Sequence, residues 1–132
     1  MKILFSFCTM VFILLLSAGR VNAQNCEMLH SGKFEYDVEG GGVATVIING
    51  NKHTEYHNDG EYVIESTLKW VNECEYIATL VRATVPGFPF SPGTTLNVRV
   101  KKTEGNNIYY VCKLDDHGTT AVFSSKLTKV ED

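Results

Sequence analysis

The sequence has little proline, a single tryptophan and no excess of positive charge. Its three prolines all lie within residues 86–92, and 12 Lys and Arg stand against 15 Asp and Glu, for a formal net charge of −3. Because phosphate contacts dominate the affinity of proteins for nucleic acids, an acidic chain without a basic stripe is a poor candidate for binding DNA or RNA. The sequence also lacks an apolar run of the ~20 residues that a membrane-spanning helix needs.

The longest apolar run lies at the N-terminus and predicts a signal peptide. Lys2 precedes an apolar stretch that ends at Leu16, and the triplet Val21-Asn22-Ala23 is typical of a cleavage site. We therefore expect residues 1–23 to be a signal peptide cleaved after Ala23. The mature protein would be exported, to the periplasm or the extracellular space, without a membrane span. An uncleaved anchor and a lipoprotein are the alternatives.

The pattern of residues 24–132 predicts a single all-β domain. Apolar residues recur at every second position, and turn residues interrupt them at intervals of roughly 8 to 12 residues. Asn49-Gly50 is the clearest hairpin signal, because a type I′ turn needs positive φ at both central residues. Predicted strands cover residues 32–38, 43–48, 52–57, 61–71, 74–85, 96–101, 108–114 and 119–129.

The order of these strands favours a small barrel. Eight antiparallel strands joined by short connections form an up-and-down meander, and closing the meander removes both exposed edges. We expect a closed or nearly closed, lipocalin-like barrel. A short helical turn within residues 24–31 would plug one end of it. A two-sheet β-sandwich is the alternative.

The cysteines predict one disulfide and one free thiol. Cys8 leaves with the signal peptide, so an odd number remains in an oxidising compartment. Cys26 and Cys74 lie at strand ends, where two backbones can approach closely enough for a bridge. Cys112 lies within a strand, in line with apolar residues, and is expected to be buried and free. A bond between two chains through Cys112 is the minority alternative.

The best candidate for chemistry is a set of three residues on one short strand. His53, Glu55 and His57 occupy alternate positions and project from the same face. Two imidazoles and a carboxylate could bind a zinc-type ion. We favour a simpler interpretation, in which the three residues form the solvated face of a polar hairpin. We expect no metal or other cofactor and no catalytic residues.

The proline-rich loop carries two aromatic residues that suit a binding role. Phe88 and Phe90 lie in a stiff segment that cannot join a β-ladder, and they could contact a ligand or a partner. We favour a simpler interpretation, in which both rings fold back as a lid over the open core. Trp70 is expected in the core, or in the wall of a cavity if the barrel is hollow.

A motif resembles one found in a group of small exported bacterial β-proteins of unknown function. The chain has an N-terminal Cys26 and a W-x-x-x-C-x-Y motif formed by Trp70, Cys74 and Tyr76. The resemblance implies the same Cys26–Cys74 pairing. Some similar proteins are labelled DNA topoisomerases, a function that the charge and the predicted export of this chain argue against. The segment Gly32-Lys33-Phe34 is also similar to the Gly-x-Trp start of lipocalin-type barrels, which implies a comparable fold.

These features favour a non-catalytic binding function. We expect an exported, monomeric module that binds a small apolar molecule or a protein partner. The first alternative is a structural or accessory protein of the cell envelope with a filled core. The second is a metal-dependent enzyme that uses His53 and His57.

Overall fold

A computed structural model describes residues 25–132 of the chain, and the predicted signal peptide lies outside these residues. One 3₁₀ turn, Glu27–Leu29, precedes eight β-strands. None of the helices in the described range is long and apolar enough to cross a bilayer. The strands are β1 (Ser31–Asp37), β2 (Val43–Asn49), β3 (Lys52–His57), β4 (Tyr62–Asn72), β5 (Glu75–Ala83), β6 (Thr95–Glu104), β7 (Asn107–Asp116) and β8 (Thr119–Glu131).

The eight strands form a closed antiparallel barrel in sequence order. This confirms the predicted meander and excludes the sandwich. The predicted strands coincide with the observed ones, although their ends differ by a few residues. The largest shortfall is in β6, which runs to Glu104 instead of Lys101. A bulge between Val100 and Lys102 interrupts the alternation there, so the pattern of alternating residues stops before the strand does.

The two ends of the barrel differ in what covers them. At the closed end lie the 3₁₀ turn and the connections 50–51, 73–74 and 105–106. The residues that flank the turn bond to the first two of these connections, His30 to Gly50 and Cys26 to Cys74. Leu29 of this turn is almost fully buried, as the predicted plug requires. At the open end lie the connections 38–42, 58–61, 84–94 and 117–118.

A disulfide fixes the 3₁₀ turn to the barrel. Cys26 is bonded to Cys74, with 5.1 Å between their Cα atoms, and Cys112 is a buried free thiol. Both parts of the cysteine prediction are therefore confirmed. The most deeply buried large side chains, including Phe34, Ile48 and Ile108, belong to the same half of the barrel.

The seam between β1 and β8 is short. Only Lys33, Phe34 and Glu35 of β1 pair with β8, and their partners lie between Thr128 and Glu131. Residues 119–127 of β8 pair with β7 alone. The barrel is thus closed near its plugged end, while the upper part of β8 borders the open end with Phe123 half exposed.

Candidate functional site

The barrel encloses a cavity of about 430 Å³ that extends toward its open end. This volume lies at the lower end of the range of about 300–1,000 Å³ for small-molecule sites. Most of the lining is apolar, and no Lys or Arg contributes to it. The apolar lining residues are Leu29, Val46, Ile64, Ala78, Leu80, Phe88, Phe90, Leu96, Val98, Leu114, Phe123 and Leu127.

The proline-rich connection between β5 and β6 covers part of the cavity. Phe88 and Phe90 both line it and pack edge to face, with 5.6 Å between their ring centroids. Thr94 holds the end of this connection, because its hydroxyl donates to the Ser91 carbonyl at 2.8 Å and also lies 3.2 Å from an Asp116 carboxylate oxygen. The two phenylalanines therefore form a lid, which is the interpretation favoured from the sequence.

The polar part of the cavity wall comes mainly from β3. His53, Glu55 and His57 all line the cavity, which places the face they share inside the barrel. The expectation of a solvated face was therefore wrong. Alternation in a strand tells which residues share a face, but in a closed barrel the more polar face of a short strand can point inward.

Glu55 is the centre of this polar group. Its Oε1 accepts a hydrogen bond of 2.5 Å from the Tyr36 hydroxyl and lies 3.7 Å from Nε2 of His57. The longer distance is an ion-pair contact and exceeds a normal hydrogen bond. Burial raises the pKa of the Glu55 carboxyl, but the contacts with His57, His53 and Tyr36 outweigh burial and hold the pKa below its usual value. Glu55 is therefore ionised at neutral pH.

The two histidines of β3 have opposite pKa shifts. Contact with Glu55 raises the pKa of His57, which lies near the open end. Burial lowers the pKa of His53, which lies deeper and is neutral at pH 7. Nδ1 of His53 is buried and has no hydrogen-bond partner among the described residues. Buried polar atoms are nearly always hydrogen-bonded, so this unpaired nitrogen in the cavity wall is an exception that needs a reason.

The remaining titratable groups of the wall are uncharged. Burial raises the pKa of Tyr36 and Tyr76 well above the usual value and that of Tyr110 to about 12. Burial also raises the pKa of the Cys112 thiol to about 12. Because the thiolate is the reactive form, Cys112 is a poor nucleophile at neutral pH.

The geometry does not favour a metal site at this cluster. Across residues 25–132, no group of three or more His, Cys, Asp or Glu side chains is arranged to hold a metal ion. His53 and His57 flank Glu55 on alternate positions of the strand, yet the recorded contacts join only Glu55, His57 and Tyr36.

Trp70 lies outside the cavity. Its ring stacks on His30 at the closed end, with 3.7 Å between centroids, and its Nε1 donates to the Gly50 carbonyl. Nε2 of His30 in turn bonds the Glu73 carbonyl at 2.8 Å, and Tyr76 separates Trp70 from the cavity. No pattern in the sequence points to a partner for His30. The contact could not be foreseen because His30 and Trp70 meet only when the 3₁₀ turn docks.

Sequence reasoning missed two members of the site, Tyr36 and Tyr110. Alternation puts Tyr36 on the same face of its strand as Phe34, but it gives no sign that the Tyr36 hydroxyl reaches Glu55 on β3. The strand register explains this contact. Tyr36 of β1 pairs with Ala44 of β2, and Val46 of β2 pairs with Glu55 of β3, so β2 brings Tyr36 and Glu55 close together.

Comparisons with protein families, curated proteins and solved structures find no match to this chain. The resemblances noted from the sequence therefore stay predictions, and the function must be argued from the geometry of the cavity.

Proposed function

We propose that this protein is an exported, non-catalytic module that binds one small, mainly apolar molecule inside its barrel. The observation that carries the proposal is the cavity of about 430 Å³ between the plugged end and the Phe88–Phe90 lid. Protein interiors are normally packed to crystal-like density, so an unfilled volume of this size is a feature that needs a reason. An envelope protein with a purely structural role would be expected to have a filled core.

The composition of the wall supports a ligand with an apolar body and a single polar group. Aromatic and aliphatic side chains surround most of the cavity, and the charged side chains in its wall are those of Glu55 and His57. Ligand sites commonly combine an apolar lining with a few polar groups that orient the ligand. The Cys26–Cys74 bond is compatible with the proposed export, because such bonds persist in oxidising compartments.

Filling the cavity with a side chain tests the proposal. Ser66 lines the cavity, whereas its neighbour Thr67 faces the solvent. We expect native mass spectrometry of protein from its own host to detect a bound small molecule. The ligand should be lost in Ser66→Phe and retained in Thr67→Phe, which adds the same ring outside the barrel.

Two results would contradict the binding proposal. One is the absence of any bound mass in the unaltered protein, together with no binding of small apolar probes by calorimetry. The other is equal retention of the ligand in Ser66→Phe and Thr67→Phe, because the ligand would then lie outside the barrel.

A further inference from the structure

Glu55 has one carboxylate oxygen available to a ligand. Both recorded contacts of this carboxylate, with Tyr36 and with His57, go to Oε1. Oε2 has no partner among residues 25–132. Oε2 is not among the fully buried polar atoms that lack a partner, so it is accessible from the cavity. A carboxylate oxygen there can accept a charge-assisted hydrogen bond from a donor that enters.

The rest of the wall offers Glu55 little positive charge. No Lys or Arg lines the cavity, and His57 is the sole residue of the lining that can become a cation near neutral pH. The other titratable groups that face Glu55, from β1, β3, β5 and β7, are neutral. They are Tyr36, His53, Tyr76, Tyr110 and Cys112. A ligand carboxylate would therefore meet the negative charge of Glu55, which His57 alone among the lining residues offsets.

The residues around the open end of the barrel are negatively charged, as Glu55 is. Residues 37–42, 58–61, 84–94 and 115–118 surround the open end and contain no Lys or Arg. A ring of like charges around a low-dielectric opening attracts ions of the opposite sign and raises their local concentration. The carboxylates in these segments are Asp37, Glu39, Asp59, Glu61, Asp115 and Asp116.

We propose that the ligand is a small apolar amine whose protonated nitrogen pairs with Oε2 of Glu55. This inference rests on the proposed binding function and specifies the class of ligand. The ammonium group would supply the donor that Glu55 lacks, while the apolar body fills the space below the Phe88–Phe90 lid. The rings of Tyr36 and Tyr110, on either side of the short seam, are placed to favour a cation further.

Three probes with the same chain and different head groups test the proposal: octylamine, octan-1-ol and octanoate. Calorimetry at pH 8 keeps the amine protonated and leaves His57 less charged. We expect octylamine to bind at least about 10-fold more tightly than octan-1-ol, because a charge-assisted hydrogen bond replaces a neutral one. Octanoate should bind more weakly than the alcohol, because its charge faces Glu55.

Glu55→Gln keeps the shape of the side chain and removes its charge. In this variant the affinity for octylamine should fall by about 10-fold or more, whereas that for octan-1-ol should change by less than about threefold. Retained binding of the alcohol would show that the variant is folded. Glu65→Gln is the matched control, since Glu65 lies on the outer face of β4 and pairs there with Arg82. The control should leave all three affinities unchanged.

The outcomes separate this inference from the function on which it rests. Equal binding of amine and alcohol, tighter binding of octanoate, or an unchanged preference in Glu55→Gln would overturn the amine proposal while leaving a binding function in place. Failure of all three probes to bind the unaltered protein, together with no bound mass in the protein from its own host, would overturn both proposals.

Discussion

The closed end of the barrel and the wall of its cavity both contain polar and aromatic side chains, but these side chains differ in their hydrogen-bond partners. At the closed end, His30 stacks on Trp70 and bonds the Glu73 carbonyl, so each polar group has a partner within the protein. In the cavity wall, Nδ1 of His53 has no hydrogen-bond partner and Oε2 of Glu55 accepts no hydrogen bond among the described residues. Polar groups satisfied internally stabilise a fold, whereas unsatisfied ones in a cavity are available to another molecule.

The two ends also differ in how they are tied to the strands. The disulfide and Lys129 hold the closed end, where the Lys129 ammonium donates to the carbonyls of Met28 and Ser31. The open end depends on β-turns and on the proline-rich connection, and β8 lacks a second partner strand there. We therefore expect substitutions at the closed end to change stability, and those at the open end to change ligand affinity.

Removing the disulfide should give the largest effect. The bond joins residues 48 positions apart, and the chain-entropy model assigns it about 4 kcal/mol of the free energy of unfolding. We expect the double variant Cys26→Ser/Cys74→Ser to lose about this amount in urea titrations, measured by circular dichroism. Cys112→Ala is the control, because it removes a thiol without a bond and should cost about 1 kcal/mol. Equal losses of unfolding free energy in both proteins would show that the stability of the closed end does not depend on the disulfide.

Replacing Trp70 should give the second largest effect on stability. Trp70→Ala removes the stack on His30 and the hydrogen bond to Gly50, and we expect a loss of about 2–3 kcal/mol because the ring is half buried. Affinity for an octyl probe should stay within about twofold, since Trp70 does not line the cavity. A large loss of affinity in a folded Trp70→Ala protein would mean that the two ends are coupled.

Removing the two rings of the lid should lower ligand affinity and leave stability almost unchanged, the reverse of the result expected for Trp70→Ala. Phe88 and Phe90 line the cavity from an exposed connection, so Phe88→Ala/Phe90→Ala removes apolar ligand contact but little core packing. We expect octan-1-ol to bind about 10-fold more weakly, with a change in the free energy of unfolding below about 1 kcal/mol. Calorimetry and urea titration of the same preparation measure both quantities. A large loss of stability with unchanged affinity would assign these rings to the core.

Most of the fold could be predicted because each strand can be recognised from the local sequence pattern. Alternation of apolar residues identified all eight strands, and Asn49-Gly50 located the tightest hairpin. The position of Cys26 and Cys74 at strand ends was enough to predict their bond. These inferences need only neighbouring residues and the tendency of eight antiparallel strands to close. The largest error in strand length, at the bulge beside Val100, occurs where the local period breaks.

The site was harder to predict because it depends on contacts across the barrel. The sequence placed His53, Glu55 and His57 on one face, but it could not show whether that face points inward or outward. Polar side chains usually mark the outer face, and β3 departs from this rule at a cavity. Such departures are expected at functional sites, where local preference and global fold conflict.

The smallest expected effect is on the pH dependence of stability, and it differs between the two histidines of the cavity wall. The pKa of His57 is higher in the folded protein than its unfolded value of 6.5, so its stabilising contact with Glu55 is fully present below pH 6.5 and is lost as the pH rises through the folded pKa. The pKa of Glu55 stays below 4.5, so this carboxylate is ionised throughout. His57→Gln should therefore cost more stability at pH 6 than at pH 9. The difference should be less than about 1 kcal/mol because the pair is partly exposed.

His53 should show the opposite sign. Its pKa is lower in the folded protein than 6.5, so the unfolded chain takes up the proton more readily and the folded state loses stability as the pH falls below 6.5. His53→Gln removes this penalty, and its stability relative to the unaltered protein should be higher at pH 6 than at pH 9. Urea titrations at the two pH values measure both variants. If both histidines gave the same sign, the distinction between an enclosed, neutral His53 and a charged His57 beside Glu55 near the mouth would be wrong, because burial lowers the first pKa and contact with Glu55 raises the second.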